Sequence, residues 1–170
     1  MPSLFLCPAL LLPAACGLYC NWRGGGERAT PYKGEKMAGE PAATIDRELS
    51  GILRLAVLYC DELEIDDGEA LWTVFEPFCR EIAGKYEGKT IGAVAGIQPA
   101  RELYRAIGVD PTRHRPASEA LIRRLIKGKE LYRINSLVDT VNYCSLMLML
   151  PKGLYDLDRN EGEMVRVRTG

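Results

Sequence analysis

The chain has 170 residues, of which 47% are hydrophobic and 26% charged. That is the composition of one ordinary globular domain and excludes a collagenous, coiled-coil or wholly disordered chain. A net charge of −1 excludes a uniformly basic nucleic-acid binder, and a single histidine, His114, excludes a multi-histidine metal site within one chain.

The charge is unevenly placed. Residues 37–98 hold 5 Lys/Arg against 12 Asp/Glu, whereas residues 99–133 hold 9 against 4. The second stretch is therefore either an anion-binding face or a solvated helix surface. None of the six cysteines forms a C-x-x-C pair. Cys60, Cys79 and Cys144 sit in apolar patterns and read as buried small hydrophobes, which points to a reducing compartment.

Met1 to Cys20 is apolar and interrupted by Pro8 and Pro13. It lacks the positive n-region of a secretory signal and the ~20 uninterrupted apolar residues of a membrane span. The glycine-rich stretch around Gly24–Gly26 follows. We take residues 1–44 as a flexible or spurious extension and residues 45–170 as the folded domain. Ile52–Cys60 is an apolar run rich in β-formers, expected to be a buried strand. Asp66-Asp67-Gly68 signals a turn and a helix start. Leu71, Val74, Phe75, Phe78 and Ile82 then follow helical spacing, with Pro77 expected to kink or split the helix.

Pro99–Ile107 reads as a second helix stopped by Gly108. The loop to Pro116 carries His114, expected to be a solvated surface residue. Ser118 is the expected N-cap of a third helix, Glu119–Lys127, which buries Leu121, Ile122 and Leu125. Ser136–Met149 reads as a fourth helix with a buried stripe of Leu137, Val138, Val141, Cys144, Ser145 and Leu148. Leu154–Leu157 and Met164–Arg168 are short strands around a turn at Asn160–Gly162. The last strand is left with an open edge, so we expect a chain truncated at its C-terminus or a short form of the domain. The fold class that follows is α+β, with helices packed on a largely antiparallel mixed sheet.

No nucleophile elbow, P-loop or H-E-x-x-H motif is present. Asn135, Asp139 and Asn142 are polar residues in and around an otherwise apolar helix. They serve either to cap a loop or to bind a ligand. Asp156 and Asp158 are two apart and on a strand would share a face, suited to a shared proton or a cation, or simply to a polar strand end.

The run Arg133-Ile134-Asn135-Ser136-Leu137-Val138-Asp139-Thr140-Val141-Asn142-Tyr143, followed by Pro151-Lys152-Gly153-Leu154-Tyr155-Asp156-Leu157-Asp158, resembles the B3/B4 domain of phenylalanyl-tRNA synthetase beta subunits. The upstream stretch is more similar to free-standing single-domain relatives. The resemblance covers about residues 50–170. It implies recognition of aminoacyl-tRNA, the parent domain hydrolysing tyrosine mischarged onto the phenylalanine tRNA. An apolar pocket rejects an added hydroxyl only weakly, so a second, hydrolytic site is needed.

Carried over on this resemblance, Asn142, Asp139 and Asp156 are the candidate catalytic residues. Asn135, Tyr143, Gly153 and Tyr155 are the candidate substrate-binding residues. Arg113, Arg115, Arg123, Arg124, Lys127 and Arg133 are the candidate RNA-binding residues, within a basic rim that also includes Arg101, Arg105 and Lys129. Two positions depart from the synthetase pattern. Gly153 stands where the synthetase has a histidine, and Val141 where it has a threonine. A pocket glutamate would lie beyond Gly170. The expected function is a stand-alone tRNA-binding module contacting the acceptor end, in the cytoplasm, with no cofactor, metal or membrane. The alternative is a trans-editing deacylase. A small-molecule or protein-binding domain that kept only the fold is a third option.

Overall fold

The computed structural model describes residues 3–10, 42–60, 63–156, 159 and 164–168. In chain order these form β1 (Ser3–Leu10), β2 (Ala42–Ile45), β3 (Leu53–Cys60), α1 (Glu69–Lys85), a single 3₁₀ turn (Ile91–Ala93), α2 (Ile97–Ala106), α3 (Ala117–Ile126), α4 (Ser136–Leu148), β4 (Gly153–Asp156) and β5 (Met164–Val167). The fold is α+β.

The strands make two sheets rather than one. β1 lies between β3 and β4 and is antiparallel to both, while β2 and β5 pair in parallel. The one mixed sheet expected from the sequence is thus corrected to two, the first antiparallel and the second parallel. β1 and all of β2 but Ile45 fall in the stretch read as a flexible or spurious extension, although residues 11–41 lie outside the described residues. The turn at Asn160–Gly162 and Asp158 lie outside them as well. β3 is not buried on both faces: Leu53 is buried, whereas Arg54, Ala56 and Leu58 are exposed. Antiparallel sheets with one solvated face behave this way.

Helices α1, α3 and α4 enclose the main core, centred on Phe75, Ile97, Ile122 and Leu146. A smaller cluster of Leu49, Leu53 and Leu103 lies under α2. α1 buries Trp72, Phe75, Cys79 and Ile82, a stripe rotated from the expected one, and Val74 is exposed. Pro77 does not split α1, which runs unbroken for 17 residues. Pro77 is exposed, and so is Thr73 four residues before it. The carbonyl that proline leaves without a donor can therefore be hydrated.

α3 starts two residues earlier than expected. Pro116 takes the cap position and Ser118 is fully buried inside the first turn. α4 turns a different face inward. Asp139, Ser145 and Leu146 are buried, Tyr143 packs against the core, and Leu148 is exposed. The packing partner decides here. The polar Asp139 faces inward because a donor waits for it there.

Two close approaches fix the helices relative to one another. Gly68, with φ +77, caps α1 against the start of α4, where a Cβ would lie 3.2 Å from the Ser136 Cα. The Ser136 amide donates to the Asp66 carbonyl, and the Ser136 hydroxyl accepts from the Asp66 amide. Gly96, with φ +88, sits against Met149 at the end of α4, where a Cβ would come within 2.6 Å of the methionine Cβ. Both positions need glycine for backbone and space.

Candidate functional site

The stretch from Arg133 to Tyr143 is built around a buried carboxyl group. Asp139 is fully buried. Its Oδ2 accepts from the Trp72 indole N–H at 2.7 Å, and both oxygens lie 3.2 Å from the Ile134 amide. A buried acid must be satisfied in this way or it destabilises the fold. Asp139 therefore joins α4 to α1 and to the segment entering α4. Asn135 is the N-cap of α4, its Oδ1 accepting from the Val138 amide at 2.9 Å. Of the two readings of Asn135, capping is the role its contacts carry. Tyr143 sets its ring edge against Phe75 and Phe78, and Phe75 in turn stacks on Trp72.

The other candidates are placed differently. Asn142 is half-buried on α4, and its side chain makes no hydrogen bond among the described residues. Gly153 opens β4, where the ring of Tyr155 lies 2.9 Å from the position a Cβ would take. Tyr155 thus fills space that a side chain at 153 would need, and it is itself exposed. Asp156 is half-buried at the end of β4 and pairs with Arg159 at 3.5 Å. The structure brings Arg133, Asp139 and Tyr143 to one cluster with Trp72 and Phe75. Gly153, Tyr155 and Asp156 belong to β4 instead.

The basic residues divide along α3. Arg113 and Arg115 lie in the loop before it, and Lys127, Lys129 and Arg133 follow it. Its 10 residues separate the two groups by about 15 Å. Arg123 is committed to the interior. Together with Arg101 it holds the fully buried Glu119, with Nε donating at 2.8 Å from each arginine and Arg101 adding a second bond at 2.8 Å. Burial pushes the Glu119 carboxyl up, but the hydrogen bonds and charges of the two arginines outweigh it and hold the carboxyl below the usual glutamate value.

Arg113 reaches Asp110 only at 4.0 Å. Arg124 donates to the Glu130 carbonyl and lies 3.9 Å from the ring centroid of Tyr132, which is 68% exposed. Arg115, Lys127 and Lys129 are exposed and make no ion pair among the described residues.

A groove of about 330 Å³ opens between α1 and the link 128–133. Trp72, Cys79, Ala83, Leu125 and Leu131 form its apolar floor. Arg80, Arg133 and Lys129 stand on its rim with Glu76 and Glu130. Arg80 bonds one oxygen of Glu76, and Arg133 bonds the other at 3.2 Å. Arg133 also lies over the Trp72 ring, 4.7 Å from its centroid. The Cys79 thiol is pushed up to about 11 by burial and by the charge of Glu76, so it stays protonated at neutral pH.

Sequence reasoning missed Trp72. The spacing Trp72, Phe75, Cys79, Ile82 fits a helical face as well as the face centred on Val74. Among the described residues, no group of three or more metal-ligating side chains is placed to hold an ion.

Residues 99–170 match the family model described as the B3/4 domain. This stretch is B3/4-like. The match runs from α2 to the end of the chain and agrees with the resemblance to phenylalanyl-tRNA synthetase beta subunits over that part. α1, which supplies Trp72 and Glu76, lies outside it. No curated protein and no solved structure matches the chain. No helix among the described residues is long and apolar enough to cross a membrane.

Proposed function

We propose that this chain carries a B3/B4-type module that binds transfer RNA at its acceptor end. The observation that carries the reading is the B3/4 match over residues 99–170, which contain the chain's basic excess. The side chains support it. Arg115, Lys127 and Lys129 are exposed cations, and the Arg124 guanidinium lies over the exposed ring of Tyr132. Phosphates are bound by such cations, and unpaired bases stack on aromatic and guanidinium planes.

The test is a gel shift with bulk tRNA at low salt, repeated across a salt series. Binding should weaken with a log–log slope of about −3, as expected for three or four phosphate contacts. Absence of a complex at the lowest salt refutes the reading.

The half-buried, unengaged amide of Asn142 favours one second reading, hydrolysis of mischarged tRNA. There Asn142 orients the attacking water, while Asp139 acts through Trp72 and the backbone rather than on the substrate. Release of amino acid from mischarged tRNA, slowed in Asn142→Ala with tRNA binding intact, is the outcome this reading requires. Equal release by the two proteins removes Asn142 from the mechanism.

A further inference from the structure

The rim of the α1 groove contains an internal anion. Glu76 is half-exposed, yet each of its carboxylate oxygens is held by a different arginine, Arg80 and Arg133. Neither arginine is buried, so nothing in the core requires this arrangement. Two guanidinium groups converging on one carboxylate make a cradle that phosphate oxygens can occupy equally well. Directly beside it lies an apolar floor that includes the Trp72 indole, and Arg133 already lies over that ring. The volume falls at the lower end of the ~300–1,000 Å³ usual for small-molecule sites. Lys129 adds a further exposed cation at the rim.

We infer that this groove is a subsite for one unpaired nucleotide, its phosphate displacing Glu76 from Arg80 and Arg133 and its base lying on the apolar floor. The choice of occupant rests on the RNA reading above. A pair of guanidinium groups and an apolar surface are the two chemistries that the groove offers side by side. Glu76 then acts as a competitor that the ligand must displace, so it weakens binding and disfavours ligands without a phosphate. Asp139 is a positioning residue here. It orders the indole and the Ile134 amide, and so the segment that carries Arg133.

The experiment uses the full chain with Trp22→Phe, which leaves Trp72 as the one tryptophan. Its fluorescence is followed while AMP, adenosine or inorganic phosphate is added at low salt. AMP should produce a saturable change at lower concentration than either part alone. Adding Glu76→Gln should tighten AMP about fivefold, as expected when an exposed competing charge is removed. Adding Arg133→Gln should weaken it by a similar factor. No saturable change with AMP, or AMP affinity unmoved by Glu76→Gln, overturns the inference. Failure of bulk tRNA to bind while AMP still binds in this pattern would instead refute the tRNA reading and leave the groove as a nucleotide site.

Discussion

Replacing Asp139 with alanine removes the acceptor for the Trp72 indole and for the Ile134 amide together. Trp72 is only 6% exposed, so its N–H cannot turn to water. Leaving a buried donor unmet where an acidic acceptor stood costs about 2–3 kcal/mol. Ile134 is more than half exposed, so its amide can be rehydrated at about 1 kcal/mol or less. The expected loss is about 3–4 kcal/mol, seen in urea unfolding as a lower midpoint with an unchanged slope. In a chain of this length that corresponds to about 10 °C in melting temperature. Asp139→Asn keeps an acceptor oxygen of the same shape and should lose about 1–2 kcal/mol. A double-mutant cycle with Trp72→Phe should return a coupling of about 2 kcal/mol, because the two groups share one bond. Wild-type stability in Asp139→Ala, together with zero coupling, would refute the claim that this carboxyl joins α1 to α4.

Three further outcomes are expected. Glu119→Gln should destabilise the fold by about 3 kcal/mol, since it leaves Arg101 and Arg123 facing a neutral partner. Because folding lowers the Glu119 pKa below its unfolded value near 4.5, the unfolded chain binds more protons in the acid range. The stabilisation from Glu119 is therefore complete above that value and is lost as pH falls through the lowered one. Unfolding followed from pH 6 down to pH 3 should show a shallower decline in Glu119→Gln than in the wild type. Gly96→Ala should cost more than about 2 kcal/mol by thermal melting, because the left-handed backbone and the clash with Met149 act together. Asn135→Ala should cost about 1 kcal/mol in urea unfolding, the usual worth of a side-chain N-cap.

The helices were legible because periodicity and glycine stops are local signals. Gly108 and Gly128 end α2 and α3 where expected, both with positive φ. The faces were less legible. On α1 and α4 the apolar residues are numerous enough to define more than one stripe, and only the neighbouring helix chooses between them. On α4 the choice turned on Asp139, whose inward placement depends on an indole 67 residues away. No local pattern carries that information. β3, β4 and β5 lie within a residue of where the sequence placed strands, but their pairing was not legible. β1 pairs with β3 across some 50 residues, and β2 pairs with β5 across some 120. Such long-range pairing leaves no trace in the local pattern of either strand.

Arg133, Asn135 and Asp139, close together in sequence, do three different things in space. Asn135 caps α4 and so sets where the helix begins. Asp139, one turn later, returns to the Ile134 amide and fixes the backbone just ahead of that cap. Arg133 is then left at the end of a short, tethered segment, with its guanidinium over Trp72 and against Glu76. Two of the three residues therefore serve to aim the third. A motif made of one aimed cation and two internal ties is easily mistaken for a cluster of catalytic groups when only its residue types are visible. Its chemistry differs from that of a cluster. It sets a cation beside an aromatic ring, but it places no acid and base around a shared substrate atom, since the carboxyl of Asp139 is sealed behind the indole it orders. Any hydrolytic step must therefore draw on groups other than the Asp139 carboxyl, such as the half-buried amide of Asn142.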